Sequence, residues 1–413
     1  MKNRLFFILS ILASVTFAKA QEIAVITVEA GASDRYETPV SLLLDPVTFE
    51  PDSGLVLYEW VKKTKIPVLS QIEQLPEGRV LSWILTAKTV SGGTREYTLE
   101  KGAAKREKVI KVTDRGDAIL LSSGDDKIME YHYGVMMPPE GVAYEYRRSG
   151  FIHPLWSPAG EVLTNIQPAD HYHHYGIWNP LTGTTFEGEY VNFQDLQKGL
   201  GTVRFKAFNS FVEGNILGGF KAVQEYVVFK PGYEKTALNE SVGVKVWNVR
   251  DEEEKKVWLW DFASTLNCAS ESPLDVNEYR YGGLGLRATA EWNTRTSSIL
   301  TSEGKTRKDA DDTNCRWMFC NGAAGGNKSG ILFLSYPSNY NYPEPIRVWP
   351  ETMNDVYMNF CPFKNKNWYL EEGKDYTLRY RIVVYSGEMT QERAEQYWQD
   401  FANPPAILVK KGK

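Results

Sequence analysis

Short runs of alternating or continuous apolar residues recur along nearly the whole chain, and turn-forming residues separate them. In the N-terminal part they occupy residues 23–28, 55–60, 80–85 and 94–99. Further runs follow at residues 118–122, 202–211, 222–229, 242–249, 257–260, 330–336 and 376–385. Such runs bounded by turn formers predict antiparallel strands, and the lack of strand-helix alternation disfavours a parallel α/β sheet. We therefore predict an all-β protein.

The strand pattern divides the chain into two β domains. A length of 413 residues favours more than one domain, and a charged segment at residues 101–112 suits a connection. We predict a small β-sandwich at residues 21–105 and a large antiparallel β domain at residues 106–413. One amphipathic helix is predicted near the end, where apolar residues recur at helical spacing before two prolines. These residues are Ala394, Tyr397, Trp398 and Phe401, and the helix should cover the large sheet.

The first twenty residues have the pattern of a secretory signal peptide. Lys2 and Arg4 precede an apolar run at residues 5–17, and Ala18 and Ala20 form a small-x-small cleavage site. We expect cleavage near Ala20 and a periplasmic or secreted protein without a membrane span.

Charge and cysteine content narrow the partners and the redox chemistry. The net charge of −5 provides no basic surface for nucleic acid, so nucleic acid is not an expected partner. Four cysteines could pair after export or remain free thiols, and their spacing does not fix a pairing. They are Cys268, Cys315, Cys320 and Cys361. The oligomeric state does not follow from the sequence.

Four of the five histidines of the chain fall between residues 151 and 180. They are His153, His171, His173 and His174, and Asp170 lies beside them. Imidazole can transfer protons near neutral pH and can bind transition metals. The cluster is therefore a candidate catalytic site.

The spacing of this cluster leaves two kinds of chemistry open. If residues 170–175 are extended, His171 and His173 face one way while Asp170 and His174 face the other. One of His173 or His174 would then act as general acid or base, with His171 and His153 positioning it or the substrate. Alternatively, the histidines hold a divalent metal.

Further polar and aromatic residues are candidates for substrate binding. Trp178 and Glu187 follow the histidines, and Arg287, Glu303 and Arg307 lie in later segments rich in glycine and charge. Arginine offers forked donors suited to carboxylates or sugar hydroxyls. Glu187 could instead be a surface carboxylate, and Arg287 and Arg307 could each be held in an internal ion pair.

The aromatic content, 13% of the residues, fits a carbohydrate ligand. Rings with an apolar face and a polar edge are typical of sugar-binding clefts. Residues 336–342 combine tyrosines with Asn and Pro, and Trp349 and Tyr357 follow. This segment is predicted to form a loop that lines a cleft.

Three motifs resemble a bacterial family described as PmoA-like, or as a domain of unknown function. They are residues 146–160 (YRRSGFIHPLWSPAG), 170–178 (DHYHHYGIW) and 281–287 (YGGLGLR). The resemblance covers the chain from about residue 146 onward. It implies an exported protein whose large domain is a β-supersandwich similar to galactose mutarotases, and it maps His153, His171, His173 and His174 onto the family's motif histidines.

These observations lead to the hypothesis of an exported carbohydrate-active enzyme that acts in glycan breakdown. Its reaction would be glycoside hydrolysis, elimination or sugar epimerisation by histidine acid-base chemistry. No cofactor is expected for this chemistry, and a divalent metal at the histidine cluster is one alternative. A glycan-binding β-protein without turnover is the other.

Overall fold

A computed structural model describes residues 21–103, 107–250 and 255–412 of the chain. The predicted signal peptide and the predicted domain boundary at residue 105 lie outside these residues. Within them, the chain forms 28 strands, one α-helix and three short 3-10 helices. The paired strands of the described sheets run antiparallel, so the predicted all-β class is confirmed.

The strands are numbered in chain order. The N-terminal part contains β1 (Glu22–Glu29), β2 (Thr38–Leu43), β3 (Leu55–Val61), β4 (Thr64–Val68), β5 (Ser70–Leu75), β6 (Gly78–Leu85) and β7 (Thr94–Lys101). The middle part contains β8 (Ile110–Asp114), β9 (Ala118–Ser123), β10 (Asp126–His132), β11 (Phe151–Leu155), β12 (Ile177–Trp178), β13 (Thr184–Phe186), β14 (Glu189–Val191), β15 (Gly201–Val212), β16 (Leu217–Lys230), β17 (Tyr233–Trp247) and β18 (Trp258–Cys268). The C-terminal part contains β19 (Leu274–Val276), β20 (Gly285–Arg287), β21 (Ser297–Thr301), β22 (Trp317–Ala324), β23 (Asn327–Ser335), β24 (Ile346–Val348), β25 (Tyr357–Phe360), β26 (Trp368–Leu370), β27 (Tyr376–Ser386), α1 (Gln391–Ala402) and β28 (Ala406–Lys411). The 3-10 helices are Asp52–Gly54, Tyr144–Tyr146 and Leu196–Lys198.

The N-terminal part is the predicted small β-sandwich. One sheet has the order β28-β1-β7-β3-β4 and the other has the order β2-β6-β5. Alternate residues of β1, such as Ala24 and Ile26, enter the core between the sheets, where the rings of Trp83 and Tyr97 lie 5.6 Å apart. The end of the chain pairs with β1 and so adds a strand to this sheet, which the predicted division at residue 105 does not include.

The large part is built from two eight-stranded antiparallel sheets. Their orders are β15-β16-β17-β18-β27-β23-β22-β21 and β24-β25-β20-β12-β11-β10-β9-β8. One continuous apolar cluster, with contributions from both sheets, fills the space between them. The long strands β15 to β18, β23 and β27 each overlap a predicted run, although β18 extends well beyond the run at residues 257–260. A separate four-stranded sheet has the order β14-β13-β19-β26.

The helix α1 covers the first of these large sheets, as predicted. It begins after Thr390, whose hydroxyl accepts a hydrogen bond from the backbone N–H of Arg393 (3.1 Å). Its Trp398 indole donates to the carbonyl of Ser335 on β23 (3.1 Å). At its end, buried Asp400 accepts from Arg35 (2.8 Å), so the helix also ties the small sandwich to the large part.

The short central strands of the second large sheet present a polar and aromatic face away from the main core. Arg287 on β20 lies opposite Tyr357 on β25, and Trp178 on β12 lies opposite Gly285. Because alternate residues of a strand share a face, Trp178, Arg287 and Tyr357 lie on the same side. Leu286 points the other way, into the main core.

Two further predictions concern membranes and thiols. No helix in the described part of the chain is long and apolar enough to cross a membrane. The four cysteines are free thiols, which is one of the two outcomes that their spacing left open.

Candidate functional site

A cavity of about 200 Å³ lies on the polar face of the second large sheet. Its lining combines histidine, arginine and aromatic side chains from widely separated parts of the chain. The residues are His171, His173, His174, Gln194, Arg280, Tyr281, Arg347, Trp349, Met353 and Tyr357. None of these lining residues is an aspartate or a glutamate. Three of the four predicted catalytic histidines therefore meet at one site.

The three histidines converge because their segment forms turns. The backbone N–H of His171 donates to the carbonyl of Pro168 (2.8 Å), and that of His174 donates to the carbonyl of His171 (3.0 Å). The extended conformation considered for residues 170–175 is therefore wrong, since Pro168 and Asp170 favour turns. The ring of His174 lies 4.7 Å from that of His171 and 4.8 Å from that of His173, centroid to centroid.

Gly176 allows this turn to reach the sheet. Its φ is +57°, and a Cβ at this position would lie 2.3 Å from the carbonyl oxygen of Ile152. Only glycine fits such a conformation at such a distance. Its carbonyl accepts a hydrogen bond from the backbone N–H of Arg287 (2.8 Å), so the turn is fixed beside β20.

Asp170 orients the ring of His171. Its Oδ2 lies 2.8 Å from His171 Nδ1, and Arg287 Nη2 donates to both carboxylate oxygens (3.0 Å each). Burial raises the pKa of Asp170, but the hydrogen bonds to His171 and Arg287 together with the charge of Arg287 lower it overall. The carboxylate accepts a hydrogen bond from Nδ1–H of His171, which leaves Nε2 to exchange protons with a bound molecule.

Arg287 is the centre of the charge network beneath the cavity. Its side chain is 0% exposed, and it pairs with Asp355 as well as with Asp170. Its guanidinium lies 4.8 Å from the ring of Trp349, and its Nη1 lies 3.5 Å from His174 Nδ1. The Nη atoms of Arg287 thus contact internal partners, and Arg287 is a positioning residue rather than a direct ligand of substrate.

Burial keeps His173 and His174 neutral. Desolvation, with the charge of His171, lowers the pKa of His173 to about 4. Desolvation, with the charges of His173, His171 and Arg287, lowers the pKa of His174 well below its usual value. At neutral pH both rings are therefore hydrogen-bonding groups and weak bases.

Arg307 does not line the cavity but holds the loop that forms one of its walls. Its buried guanidinium donates to the carbonyls of Trp349 (3.1 Å) and Asn354 (3.1 Å) and to those of Met353 and Asp355. These four bonds fix residues 349–355, the loop that supplies two lining side chains. The predicted substrate-binding residue Arg307 therefore lies near the site but holds the backbone.

His153 and Trp178 lie beneath or beside the cavity rather than in its wall. Nδ1 of His153 bonds with the hydroxyl of Thr164 (2.8 Å), and burial together with His132 lowers the pKa of His153 to about 4. The ring of buried Trp178 packs 5.2 Å from that of His174. Trp178 thus supports the histidines from the sheet.

The structure does not bring the two predicted glutamates to the cavity. Glu187 is exposed and pairs with Lys235 and Lys230. Glu303 is exposed, and its carboxylate accepts a hydrogen bond from Ser302 (3.1 Å). For Glu187 this is the surface alternative that the sequence left open, whereas Glu303 had been assigned only to substrate binding.

The other lining residues were predicted only in part. Trp349 and Tyr357 line it, in agreement with the predicted aromatic loop, whereas Tyr336 and Tyr340 do not. Arg280 and Arg347 were not assigned a role. The glycines that follow Tyr281 were the sequence signal for a close approach to this segment, but nothing local marked Arg347.

Metal binding was the alternative chemistry for the histidines. Among the described residues, no group of three or more His, Cys, Asp or Glu side chains is arranged to hold a metal ion. The Nδ1 atoms of His171 and His174 face Asp170 and Arg287, respectively.

Comparisons with known proteins place the chain in a family. A family model described as "Family of unknown function (DUF6807)" matches residues 118–399, and no curated protein matches the chain. Similar solved structures include an α-mannosidase from Enterococcus faecalis (9% identity, TM-score 0.42, 95% of this chain and 46% of that chain). Others are a protein of glycosyl hydrolase family 38 from the same species (8%, 0.42, 95% and 47%) and a GH36 α-galactosidase from Geobacillus stearothermophilus (10%, 0.30, 68% and 40%). The chain spans about half the length of the first two.

Proposed function

Because the chain belongs to DUF6807, a family of unknown function, we propose its activity from the geometry of the site. The proposal is an exported carbohydrate-active enzyme in which His171 transfers protons to and from a bound sugar. Export rests on the signal-peptide pattern at residues 1–20, and the resemblance to the PmoA-like family implies an exported protein with a large domain similar to galactose mutarotases.

The observation that carries this proposal is the contact of Asp170 with His171, whose side chain lines the cavity. A carboxylate that fixes one ring nitrogen and leaves the other toward a cavity is the arrangement of a general acid or base. His171 takes this role instead of His173 or His174, because burial makes those two rings poor bases. They are better suited to hydrogen bonds with sugar hydroxyls.

The size and chemistry of the cavity suit one sugar ring. Its volume of about 200 Å³ is below the roughly 300–1,000 Å³ of pockets for larger ligands. Aromatic rings of Trp349, Tyr281 and Tyr357 stand beside the polar groups of Gln194 and Arg280. Such a mixture matches a ring with apolar faces and a polar periphery.

Among the three predicted reaction types, the lining favours elimination or epimerisation over hydrolysis. Most glycoside hydrolases use a pair of carboxyl groups on opposite sides of the scissile bond. Here, the lining residues include no carboxylate, and nearby Asp170 and Asp355 are both held by Arg287. A histidine base remains, and both elimination and epimerisation can begin with proton abstraction by such a base.

The electrostatics also favour proton transfer over a metal-dependent reaction at the histidines. A divalent ion on His174 would lie close to the Arg287 cation, and an ion on His171 Nδ1 would compete with the proton shared with Asp170. Like charges at such distances are unfavourable in a buried site.

The test uses His171→Gln, Asp170→Asn and a control, Arg115→Gln. Arg115 follows β8, at the opposite edge of the same sheet from β24. Mature protein is incubated with plant and algal oligosaccharides, with and without chelator, and products are followed by mass spectrometry and proton NMR. We expect turnover that resists chelator and falls at least about 100-fold in His171→Gln, the scale of general base catalysis.

Three outcomes would contradict the proposal. Undiminished turnover in His171→Gln would remove this residue from the mechanism. Loss of turnover with chelator would favour a metal-assisted enzyme. Saturable sugar binding without any product would favour a glycan-binding protein.

A further inference from the structure

The charged side chains that face the cavity are cations. Arg280 and Arg347 line it, and the nearest carboxylates are turned to other partners. Asp170 and Asp355 bind Arg287, and Asp311 binds Arg347. A bound molecule therefore meets guanidinium groups and no lining carboxylate, an environment that favours a negative charge.

Arg280 is the cation best placed for a ligand. It is exposed, and no carboxylate in the described ranges lies within ion-pair distance of it. Its guanidinium is steadied over the ring of Tyr281, 5.4 Å from the centroid. A guanidinium without a protein anion offers its forked donors to a carboxylate of the substrate.

Two further groups complete the recognition. Asp311 pairs with both Arg347 and Lys364, whose ammonium lies 3.1 Å from the carboxylate. The single negative charge of Asp311 therefore does not neutralise both cations, and Arg347 can also interact with an anionic ligand. Gln194 is 1% exposed, it lines the cavity, and its Oε1 accepts no hydrogen bond in the described part of the chain. A buried acceptor without a donor fits a sugar hydroxyl.

We infer that the cavity takes a uronic acid unit of a 1,4-linked acidic glycan, with the carboxylate at Arg280 and Arg347 and the ring beside His171. This inference rests on the proposed function, because it uses His171 as the base. It names the substrate class and the reaction, which is β-elimination.

The elimination step is balanced without a cofactor. His171 Nε2 takes the proton from C5, the carbon next to the carboxylate, and the C–H electron pair forms the C4–C5 double bond. The C4–O4 bond breaks, and the departing oxygen takes a proton that His171 or water returns. Arginine beside the carboxylate stabilises the charge that develops on it during proton removal, which explains why cations and a histidine base share one cavity.

The experiment compares four substrate classes with the full mature protein. These are oligogalacturonate, oligomannuronate, a neutral 1,4-linked oligosaccharide and a sulfated neutral oligosaccharide. The variants are Arg280→Gln, His171→Gln and the control Arg115→Gln. The ultraviolet absorbance of the conjugated double bond reports elimination, and calorimetry reports binding.

We expect a uronate oligosaccharide to give the unsaturated product. Arg280→Gln should lower kcat/KM at least about tenfold, the loss expected for one charge-assisted hydrogen bond, because the guanidinium both binds the carboxylate and stabilises the charge that develops on it. His171→Gln should abolish the absorbance, and Arg115→Gln should behave as the unmodified protein. Folding of each variant is checked by its unfolding midpoint.

Other results would overturn the inference and would separate it from the proposed function. Turnover of the neutral substrate that depends on His171, without turnover of uronates, refutes the acidic substrate but keeps the enzyme. Binding of the sulfated sugar alone refutes elimination, since that substrate has no carboxylate. Equal kcat/KM values for Arg280→Gln and Arg115→Gln on uronates refute the carboxylate site, and no binding or product with any class refutes both proposals.

Discussion

Replacing Arg287 by Met should destabilise the protein and release the histidine site at the same time. The Arg287 side chain is 0% exposed and donates to Asp170 at 3.0 Å and to Asp355. Methionine retains much of the apolar volume but no donor. We expect the free energy of unfolding to fall by about 3 kcal/mol.

This magnitude follows from the burial of the three partners. Removing one member of a buried ion pair costs about 3–5 kcal/mol, because the remaining charge loses its partner. The two carboxylates are 43% and 33% exposed, so water can recover part of this cost and the lower end of the range applies. Loss of the cation beneath the Trp349 ring, at 4.8 Å, adds up to about 1 kcal/mol.

The matched control is Arg204→Met. Arg204 also makes a two-pronged pair, with Glu234 at 2.6 and 2.7 Å, but these side chains are 38% and 49% exposed. Exposed pairs contribute about 0–1 kcal/mol. Guanidinium chloride unfolding measures both variants, with equal slopes as the condition for comparing them.

A second measurement separates lost charge from lost packing. The charge of Arg287 helps to lower the pKa of His174, so NMR titration of Arg287→Met should show this pKa moving up toward its ordinary value of about 6.5. If Arg287→Met is as stable as Arg204→Met, or if the titration of His174 does not move, the proposed charge network is incorrect.

Three further predictions concern pH and local structure. In the folded protein, the pKa values of His153 and His173 are about 4, below the ordinary 6.5. Between these pH values the unfolded state binds more protons than the folded state, so stability should fall as the pH decreases from 6.5 to 4. An unfolding midpoint that does not change over this pH range would contradict the prediction. Gly176→Ala should cost at least about 2 kcal/mol, because φ is positive and Ile152 O blocks a Cβ, and thermal unfolding measures the loss. Arg307→Met should speed amide hydrogen exchange in the loop that its guanidinium holds, and unchanged exchange would show that the loop needs no such support.

The sequence predicted the fold well where the signal is local. Alternation in strands such as β16 and β17 reflects one face against the core, and the helix α1 carries its own stop in Pro404 and Pro405. The local sequence pattern could not assign strand β28 to the sheet of the small sandwich. Its partner β1 lies at the other end of the chain, and no local pattern encodes such a pairing.

The candidate site was predicted in part for the same reason. The histidines cluster in sequence, so residue type and proximity marked them. Their convergence depends on a turn at Pro168 and on Gly176, and the choice of His171 as base depends on Asp170. Burial, which makes His173 a weak base, is a property of the folded chain.

The position of Arg287 explains why one histidine has a carboxylate partner free to orient it. Pairing of β20 with β12 and β25 sets this guanidinium in the sheet, and its two aspartates come from loops on either side of the cavity. Because the hydrogen bonds to His171 and Arg287 and the charge of Arg287 lower the pKa of Asp170, this carboxylate is not a ready proton donor. Asp170 can still accept a hydrogen bond from His171 Nδ1 while it is paired with Arg287. The ion pair therefore anchors the loop of Asp170 and leaves Nε2 of His171 available for proton exchange.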